Sequence, residues 1–305
     1  MADADGRGER IRTFDPLVPN QMRYQTALRP DELRIVACAS DSNACATVPC
    51  MDTHITLPWL GSGDPFPTPD TAWGDDSPAP GLLACGDTLD APMLERAYRN
   101  GIFPWFNHDQ PVLWWSPDPR MVLRTGNFVV HHALRKTLRT FIRNSRCEVV
   151  MDRGFDAVIS ACASAPRQNQ NGTWIVPSIR NAYGALHDAG MAHSVEVWKD
   201  DQLVGGLYCV SIGQAVFGES MFTVQRDASK IALAALVAFC RAHGMPFIDC
   251  QQNTQHLAFL GACEMPRRQF LDLVGQTAPR PAPTWRFDPV MWRTVLESRG
   301  MPEDE

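Results

Sequence analysis

The stretch from His193 to Gln251 restricts the fold more than any other part of the chain. Val195 and Val197 alternate with Glu196 and Trp198, and Lys199-Asp200-Asp201-Gln202 reads as a turn. Leu203 to Val210 returns, Ser211-Ile212-Gly213-Gln214 turns again, and Ala215 to Ser220 makes a third extended run. Period-2 alternation broken by short turns is the pattern of an antiparallel meander. Asp227 then stands where it can cap a helix from Ala228 to His243, ended by Gly244, and Pro246 to Gln251 reads as one more strand. That helix is apolar on most faces and must be buried, so the region is an α+β layer structure.

Three antiparallel strands, a buried helix and a further strand follow the order used by N-acyltransferase folds of the GNAT type, an analogy at the level of fold only. Coenzyme A enzymes of that type need glycines before the long helix, so that backbone amides can hold a pyrophosphate. Here the loop is Gln225-Arg226-Asp227-Ala228-Ser229-Lys230, without glycine, which argues against an acyl-CoA donor.

Upstream, Asp64-Pro65-Phe66-Pro67-Thr68-Pro69 to Pro80-Gly81 is loop, and Asp90 can cap a helix over Ala91 to Asn100 with Gly101 beyond it. Two aromatic blocks follow, Gly101-Ile102-Phe103-Pro104-Trp105-Phe106 and Leu113-Trp114-Trp115-Ser116-Pro117-Asp118-Pro119-Arg120. They read either as a small aromatic core or as a stacking surface for a nucleobase. The first 50 residues are polar and rich in turn formers with no sustained period, which predicts no folded domain there, and the shift in composition makes Met51 an alternative start. The expected organisation is a disordered extension over 1–56, a small N-terminal α/β domain over 57–118, a catalytic domain with a mainly antiparallel sheet over 119–285, and a tail over 286–305.

The ten cysteines include no C-x-x-C pair, so neither a zinc ribbon nor a dithiol motif is written here, and scattered thiols fit a reducing cytoplasm. The longest strongly apolar run, Ile231 to Cys240, has ten residues, about half of the ~20 that a membrane helix needs; no membrane span or signal peptide is expected. A net charge of −6 argues against a nucleic-acid partner until it is divided along the chain. Leu57 to Asp118 carries nine acids against two bases, whereas Arg120 to Arg153 carries eight bases against two acids. In that basic segment Leu134, Leu138, Phe141 and Ile142 form an apolar stripe, and Arg135, Arg139, Arg143 and Arg146 follow the same helical period on another face. A solvated face is one explanation; the shortage of carboxylate partners favours a polyanion ligand.

The chain contains no H-E-x-x-H, G-x-S-x-G, Walker A or G-x-G-x-x-G sequence. Cys250, with His256 six residues on, is a nucleophile candidate, set against the frequency of inert buried strand cysteines. The stronger constellation is Glu219, Asp249 and Gln251 at strand ends. A carboxylate in an apolar strand is either paired or kept for chemistry. Alternation puts Asp249 and Gln251 on one face, where they can act as a relay.

The motifs Gly81-Leu82-Leu83-Ala84, Ala97 to Phe106, Leu113 to Arg120, Gly172-Thr173-Trp174-Ile175, His193 to Trp198, Gly218-Glu219-Ser220-Met221-Phe222 and Asp249-Cys250-Gln251 resemble, in order and spacing, those of the bacterial leucyl/phenylalanyl-tRNA protein transferases. The resemblance covers roughly Leu57 to Trp285. It implies a cytoplasmic enzyme that moves leucine or phenylalanine, and less efficiently methionine, from aminoacyl-tRNA to the N-terminal arginine or lysine of a protein. The product becomes an N-degron substrate for proteolysis. It also implies a small N-terminal domain, a GNAT-like domain, no metal and no coenzyme. Carried over by motif, Tyr98, Trp105 and Trp174 hold the 3′-terminal adenosine, and Leu207, Val216 and Met221 line the aminoacyl pocket. Arg135, Lys136 and Arg139 hold the acceptor stem, and Asp249, Gln251 and Glu219 form the catalytic group. Two positions depart from the pattern: Gly86-Asp87-Thr88 stands in place of Gly-Gly-Asp, and His132 in place of arginine. An acyl-CoA-dependent enzyme and a non-catalytic RNA-binding module remain the alternatives from the residues alone.

Overall fold

The structure is a computed structural model that describes the backbone of residues 36–38, 45–50 and 53–297 except 166–174, and the side chains of 57–165 and 175–297. Strands β1 (Val36–Cys38), β2 (Cys45–Cys50), β3 (Thr53–Leu60), β4 (Leu82–Gly86), β5 (Phe103–Pro104) and β6 (Val112–Trp115) form one sheet in the order β1-β2-β3-β4-β6-β5. Helix α1 (Ala91–Arg99) lies between β4 and β5 in the chain. The second sheet contains β7 (Arg120–Arg124), β8 (Cys147–Met151), β9 (Ala192–Lys199), β10 (Gln202–Ile212), β11 (Ala215–Thr223), β12 (Phe247–Gln251) and β13 (Cys263–Met265), ordered β13-β7-β12-β11-β10-β9-β8. Its pairings are antiparallel apart from β11 with β12. The helices that accompany it are α2 (His132–Arg143), α3 (Phe155–Ser164), α4 (Pro177–Asp188), α5 (Ala228–Ala242), α6 (Gln255–Phe259), α7 (Arg267–Thr277) and α8 (Arg293–Leu296).

The expected meander is β9-β10-β11, and the apolar helix is α5, nearly every residue of which is buried. Alternation along β10 splits its side chains between two cores: Leu207 and Cys209 join the cluster around α2 and α5, while Tyr208 and Val210 join the one built with α1, α3 and α4. A sheet covered on both faces explains why β10 reads as a continuous apolar run. Asp90 caps α1 as expected, its Oδ1 accepting from Met93 N at 2.8 Å. Asp227 does not cap α5. It sits at φ 64°, and its carboxylate accepts from Lys230 Nζ at 2.9 Å instead.

Two further expectations change. Residues 36–38 and 45–50 are paired strands continuous with β3, so part of the stretch expected to lack a fold is sheet, at positions where Thr47 and Val48 suit extended backbone. Met51 lies outside the described residues. Beyond Trp285 the chain is packed rather than trailing: Trp292 and Val295 are buried in the α5 core, and Arg241 Nη1 donates to Thr294 O at 2.6 Å. Of the two readings of the aromatic blocks, core is the one that Trp114 and Trp115 follow, since both are fully enclosed. Among the described residues, no helix is long and apolar enough to cross a membrane.

Close approach of α5 to the sheet depends on Gly205, because a Cβ there would lie 2.4 Å from Ala228 Cβ and 3.1 Å from Ala228 C. Overpacking of this kind costs about 1–3 kcal/mol. Gly205→Ala is expected to lose stability of that order in urea unfolding, whereas Gly126→Ala, whose Cβ would meet nothing within 4 Å, is expected to be near neutral.

Candidate active site

The parallel neighbours β11 and β12 bring Glu219 and the Asp249–Gln251 pair to the same end of the sheet, since Val216 and Phe217 align with Ile248 and Asp249. Asp249 is fully buried. Its two oxygens accept from Arg120 Nε at 2.8 Å and Arg120 Nη2 at 2.7 Å, a bidentate pair with neither side chain exposed. The guanidinium lies between the rings of Phe103 and Phe270, 4.8 and 4.5 Å from their centroids. A buried ion pair is tolerable when, as here, both carboxylate oxygens are matched by guanidinium donors, although Arg120 Nη1 is buried without a hydrogen-bond partner among the described residues.

Asp249 Oδ1 also accepts from the backbone N–H of Gln251 at 2.9 Å. The pairing of β12 with β7 shifts register between Asp249 and Gln251, and Gln251 adopts φ 55°. Simple alternation therefore fails at this point. The Gln251 side chain is not polarised by Asp249; its Nε2 donates to Glu219 Oε1 at 3.1 Å. Asp249 acts on Gln251 through the backbone.

Glu219 is the hub of the hydrogen bonding. Tyr98 OH donates to its Oε1 at 2.7 Å, Tyr183 OH lies 3.1 Å from its Oε2, and the two hydroxyls are hydrogen-bonded to each other. Three contacts share two phenolic hydrogens, so a proton on the carboxyl completes the ring. Burial pushes the Glu219 carboxyl up to about 7; the nearby Asp249 adds to the rise, and hydrogen bonds from Tyr98 and Tyr183 and the charge of Arg120 oppose it. Burial and then Glu219 hold both phenols well above their usual range, so both stay protonated.

The other expected residues fall in different settings. Tyr98 is completely enclosed, and in this conformation its ring offers no face to a base. Trp105 is half-buried against Trp115, whose Nε1 donates to Trp105 O at 2.7 Å. Trp174 lies outside the described residues. Leu207 and Met221 are cross-strand partners, and with Val216 they belong to the α5-side core, whereas Tyr98 and Tyr183, which bond Glu219, belong to the core on the other face of the sheet. On α2, Lys136 and Arg139 are exposed, while Arg135 is half-buried and donates to Leu296 O at 2.6 Å. Arg135 is thus partly committed to holding the C-terminal segment.

Cys250 is no nucleophile: burial and neighbouring Asp249 push its thiol far up, and Sγ contacts Ile248 O at 3.6 Å. His256 has no recorded contact with it, and burial together with Lys230 lowers its pKa. Arg120 and Tyr183 are the residues that sequence reasoning missed. Arg120 carried a signal, as a lone charge opening the apolar strand Met121-Val122-Leu123; Tyr183, at helical spacing with Ile179 and Leu186, reads as ordinary core.

A family model for the leucyl/phenylalanyl-tRNA protein transferases matches residues 122–275, and one for their N-terminal domain matches residues 87–118. The leucyl/phenylalanyl-tRNA protein transferase of Polaromonas sp. (strain JS666) is 58% identical over 240 residues, covering 79% of this chain and 94% of its own length. That of Albidiferax ferrireducens is 54% identical, covering 80% of this chain and 96% of its own. The chain belongs to this family. It is an aminoacyltransferase with an α+β fold. Among solved structures, a crystal structure of FemX is similar at a TM-score of 0.38 and 10% identity over 86% of this chain and 96% of that one, too distant a likeness to support an argument.

Because Glu219 titrates near 7 when folded and near 4.5 otherwise, the folded chain binds the proton more tightly between those values. Its contribution to stability therefore falls as pH rises through that window. Glu219→Gln removes the titration. Its thermal stability relative to wild type is expected to rise between about pH 5 and about pH 8, followed by circular dichroism; a difference independent of pH would contradict the raised carboxyl.

Proposed function

We propose that the chain transfers leucine or phenylalanine, and methionine less efficiently, from aminoacyl-tRNA to the N-terminal arginine or lysine of acceptor proteins in the cytoplasm, marking them as N-degrons. Family membership supports the reaction class. The observation that carries the chemistry is Glu219, held among two phenols and the Gln251 amide at the sheet end that also carries Asp249. We assign residues 57–118 to a small N-terminal domain and the rest, from 119 onward, to a GNAT-like catalytic domain.

An aminoacyl ester is already activated, so the enzyme's main task is to align a neutral amine with the ester carbonyl. No covalent intermediate is required. An α-amine has a pKa near ~8, and a carboxylate that accepts protons near neutrality is well matched to relieve it of one. In this proposal Glu219 takes that proton as the amine nitrogen bonds to the carbonyl carbon, then returns it to the ribose oxygen that leaves when the ester C–O bond breaks, and the amide oxygen of Gln251 orients the amine N–H. Asp249 and Arg120 position Gln251 rather than touch the substrate. The acidic Glu219 also suits a cationic acceptor terminus. Apolar contact separates side chains by only ~1–3 kcal/mol per methylene, consistent with transfer of leucine, phenylalanine and methionine by one pocket.

Trp105 and Trp174 are proposed to hold the terminal adenosine, with Tyr98 supporting Glu219 through its hydroxyl. Lys136 and Arg139, with the remaining capacity of Arg135, are proposed as the phosphate contacts of the acceptor stem. No cofactor or metal is called for.

Incubation with tRNA carrying labelled leucine and a peptide beginning with arginine is expected to move label into the peptide, and not into the same peptide with its amine blocked. Tight tRNA binding without transfer would favour a binding module. Replacing Lys136 and Arg139 with alanine is expected to raise KM for leucyl-tRNA and to reduce the steepness of its salt dependence between about 50 and about 200 mM. An unchanged slope would remove α2 from the stem contact.

A further inference from the structure

Helix α6 follows β12 in the chain, and its last residue, Phe259, meets His131 at the start of α2. Thr254 follows Gln251 by three residues and caps α6, its Oγ1 accepting from Leu257 N at 3.1 Å. Phe259, at the other end of α6, is 62% exposed, the highest value among the large hydrophobic side chains described. Its ring stacks on that of His131, with centroids 3.9 Å apart and planes at 20°. His131 Nε2 donates to Phe259 O at 2.6 Å, so the two residues are tied together by backbone as well as ring.

The support beneath this pair is rigid. Val129 N donates to Leu260 O at 3.0 Å, and Gly261, at φ +98°, lies so close to the Asn127 carbonyl that a Cβ would meet it at 2.1 Å. Val129, 41% exposed, extends the apolar surface beside the ring. A flexible loop tip could fold such a ring away from water; this one is held in place with a π surface presented outward.

The electrostatic setting favours one class of partner. His131 is the N-cap of α2, and exposed Lys136 and Arg139 follow on that helix. No Asp or Glu occurs from Arg120 to Cys147, nor from Cys250 to Cys263. Two segments without acids of their own, flanked by exposed cations, favour a phosphate backbone over an acceptor peptide that begins with Arg or Lys, even with Asp227, Glu264 and Glu297 on neighbouring elements. An exposed aromatic ring in such a surface is the arrangement by which single-stranded bases are held, because every base has a π face to stack. The five residues of α6 span about 7.5 Å, comparable with two stacked base steps at ~3.4 Å each.

We propose that the unpaired nucleotides preceding the terminal adenosine of aminoacyl-tRNA cross α6 and stack on the Phe259–His131 pair, between the acceptor stem on α2 and the reacting ester at Glu219. This rests on the tRNA substrate proposed above and adds a subsite to it.

The test compares wild type with Phe259→Ala, Phe259→Leu and Phe259→Trp on two donors, leucyl-tRNA and leucyl-adenosine, which lacks the preceding nucleotides. Phe259→Ala and Phe259→Leu are expected to raise KM for leucyl-tRNA by about tenfold with kcat retained, and Phe259→Trp to restore it. All variants are expected to match wild type on leucyl-adenosine. Equal losses on both donors, no loss on either, or a rise confined to the peptide KM would each overturn the subsite. Equilibrium binding of uncharged tRNA supplies a readout that does not need transfer. Phe259→Ala is expected to weaken binding of intact tRNA but not of tRNA trimmed of its single-stranded 3′ end. Wild type that transfers no leucine yet shows this binding difference would sink the proposed activity and keep the platform; equal binding in all four combinations would sink the platform.

Discussion

The bidentate pair between Arg120 and Asp249 sets the geometry on which the rest of the site depends. A guanidinium and a carboxylate, both wholly buried, cannot be separated without leaving an uncompensated charge in the core, a loss of about 3–5 kcal/mol. The pair joins β7 to β12, and the rings of Phe103 and Phe270 on either side draw β5 and α7 onto the same point. Four elements far apart in sequence are thereby registered on one cation. Asp249 passes this constraint on by accepting the Gln251 N–H, which holds Gln251 at φ 55° with its side chain turned toward Glu219.

Two carboxylates at one sheet end have been given different surroundings. Asp249 faces a guanidinium, whereas Glu219 faces two neutral phenols and an amide. The first arrangement pairs a carboxylate bidentately with a guanidinium. The second leaves a carboxyl that titrates near neutrality, because its donors offset only part of the burial cost. Acids given such different surroundings commonly divide structural and proton-transfer roles. Glu196 provides a third solution: it is fully buried, accepts from Gly154 N at 2.7 Å, Ser194 Oγ at 2.8 Å and Trp198 Nε1 at 2.8 Å, and serves the start of α3.

Much of the second sheet and its long helix was legible from local pattern. The meander β9-β10-β11 and helix α5 follow from alternation, turn residues and an apolar run, all of them short-range signals. Glu219, Asp249 and Gln251 stood out because polar residues at the ends of apolar strands are costly unless used. Their connectivity did not stand out. Gln251 leaves the alternation through a register shift and a left-handed backbone, which nothing in its neighbours' identities announces. Arg120 was counted within a basic segment because its partner lies 129 residues away. The proline-rich aromatic block around Trp114 left core and stacking surface both open, and the resemblance gave Tyr98 to the terminal adenosine; burial of both side chains needs the tertiary packing to be seen. Asp227 looked like a helix cap and instead holds Lys230.

The most direct test of Glu219 as the proton acceptor is the pH dependence of single-turnover transfer from leucyl-tRNA to a saturating arginine-ended peptide, in wild type and in Glu219→Gln. Wild type is expected to gain rate as pH rises through about 7, where the Glu219 carboxyl titrates. In Glu219→Gln that limb is expected to vanish and the rate to fall, leaving the dependence of the acceptor amine near ~8. A limb near 7 that persists in Glu219→Gln would assign the proton to another group and contradict the central role given to Glu219.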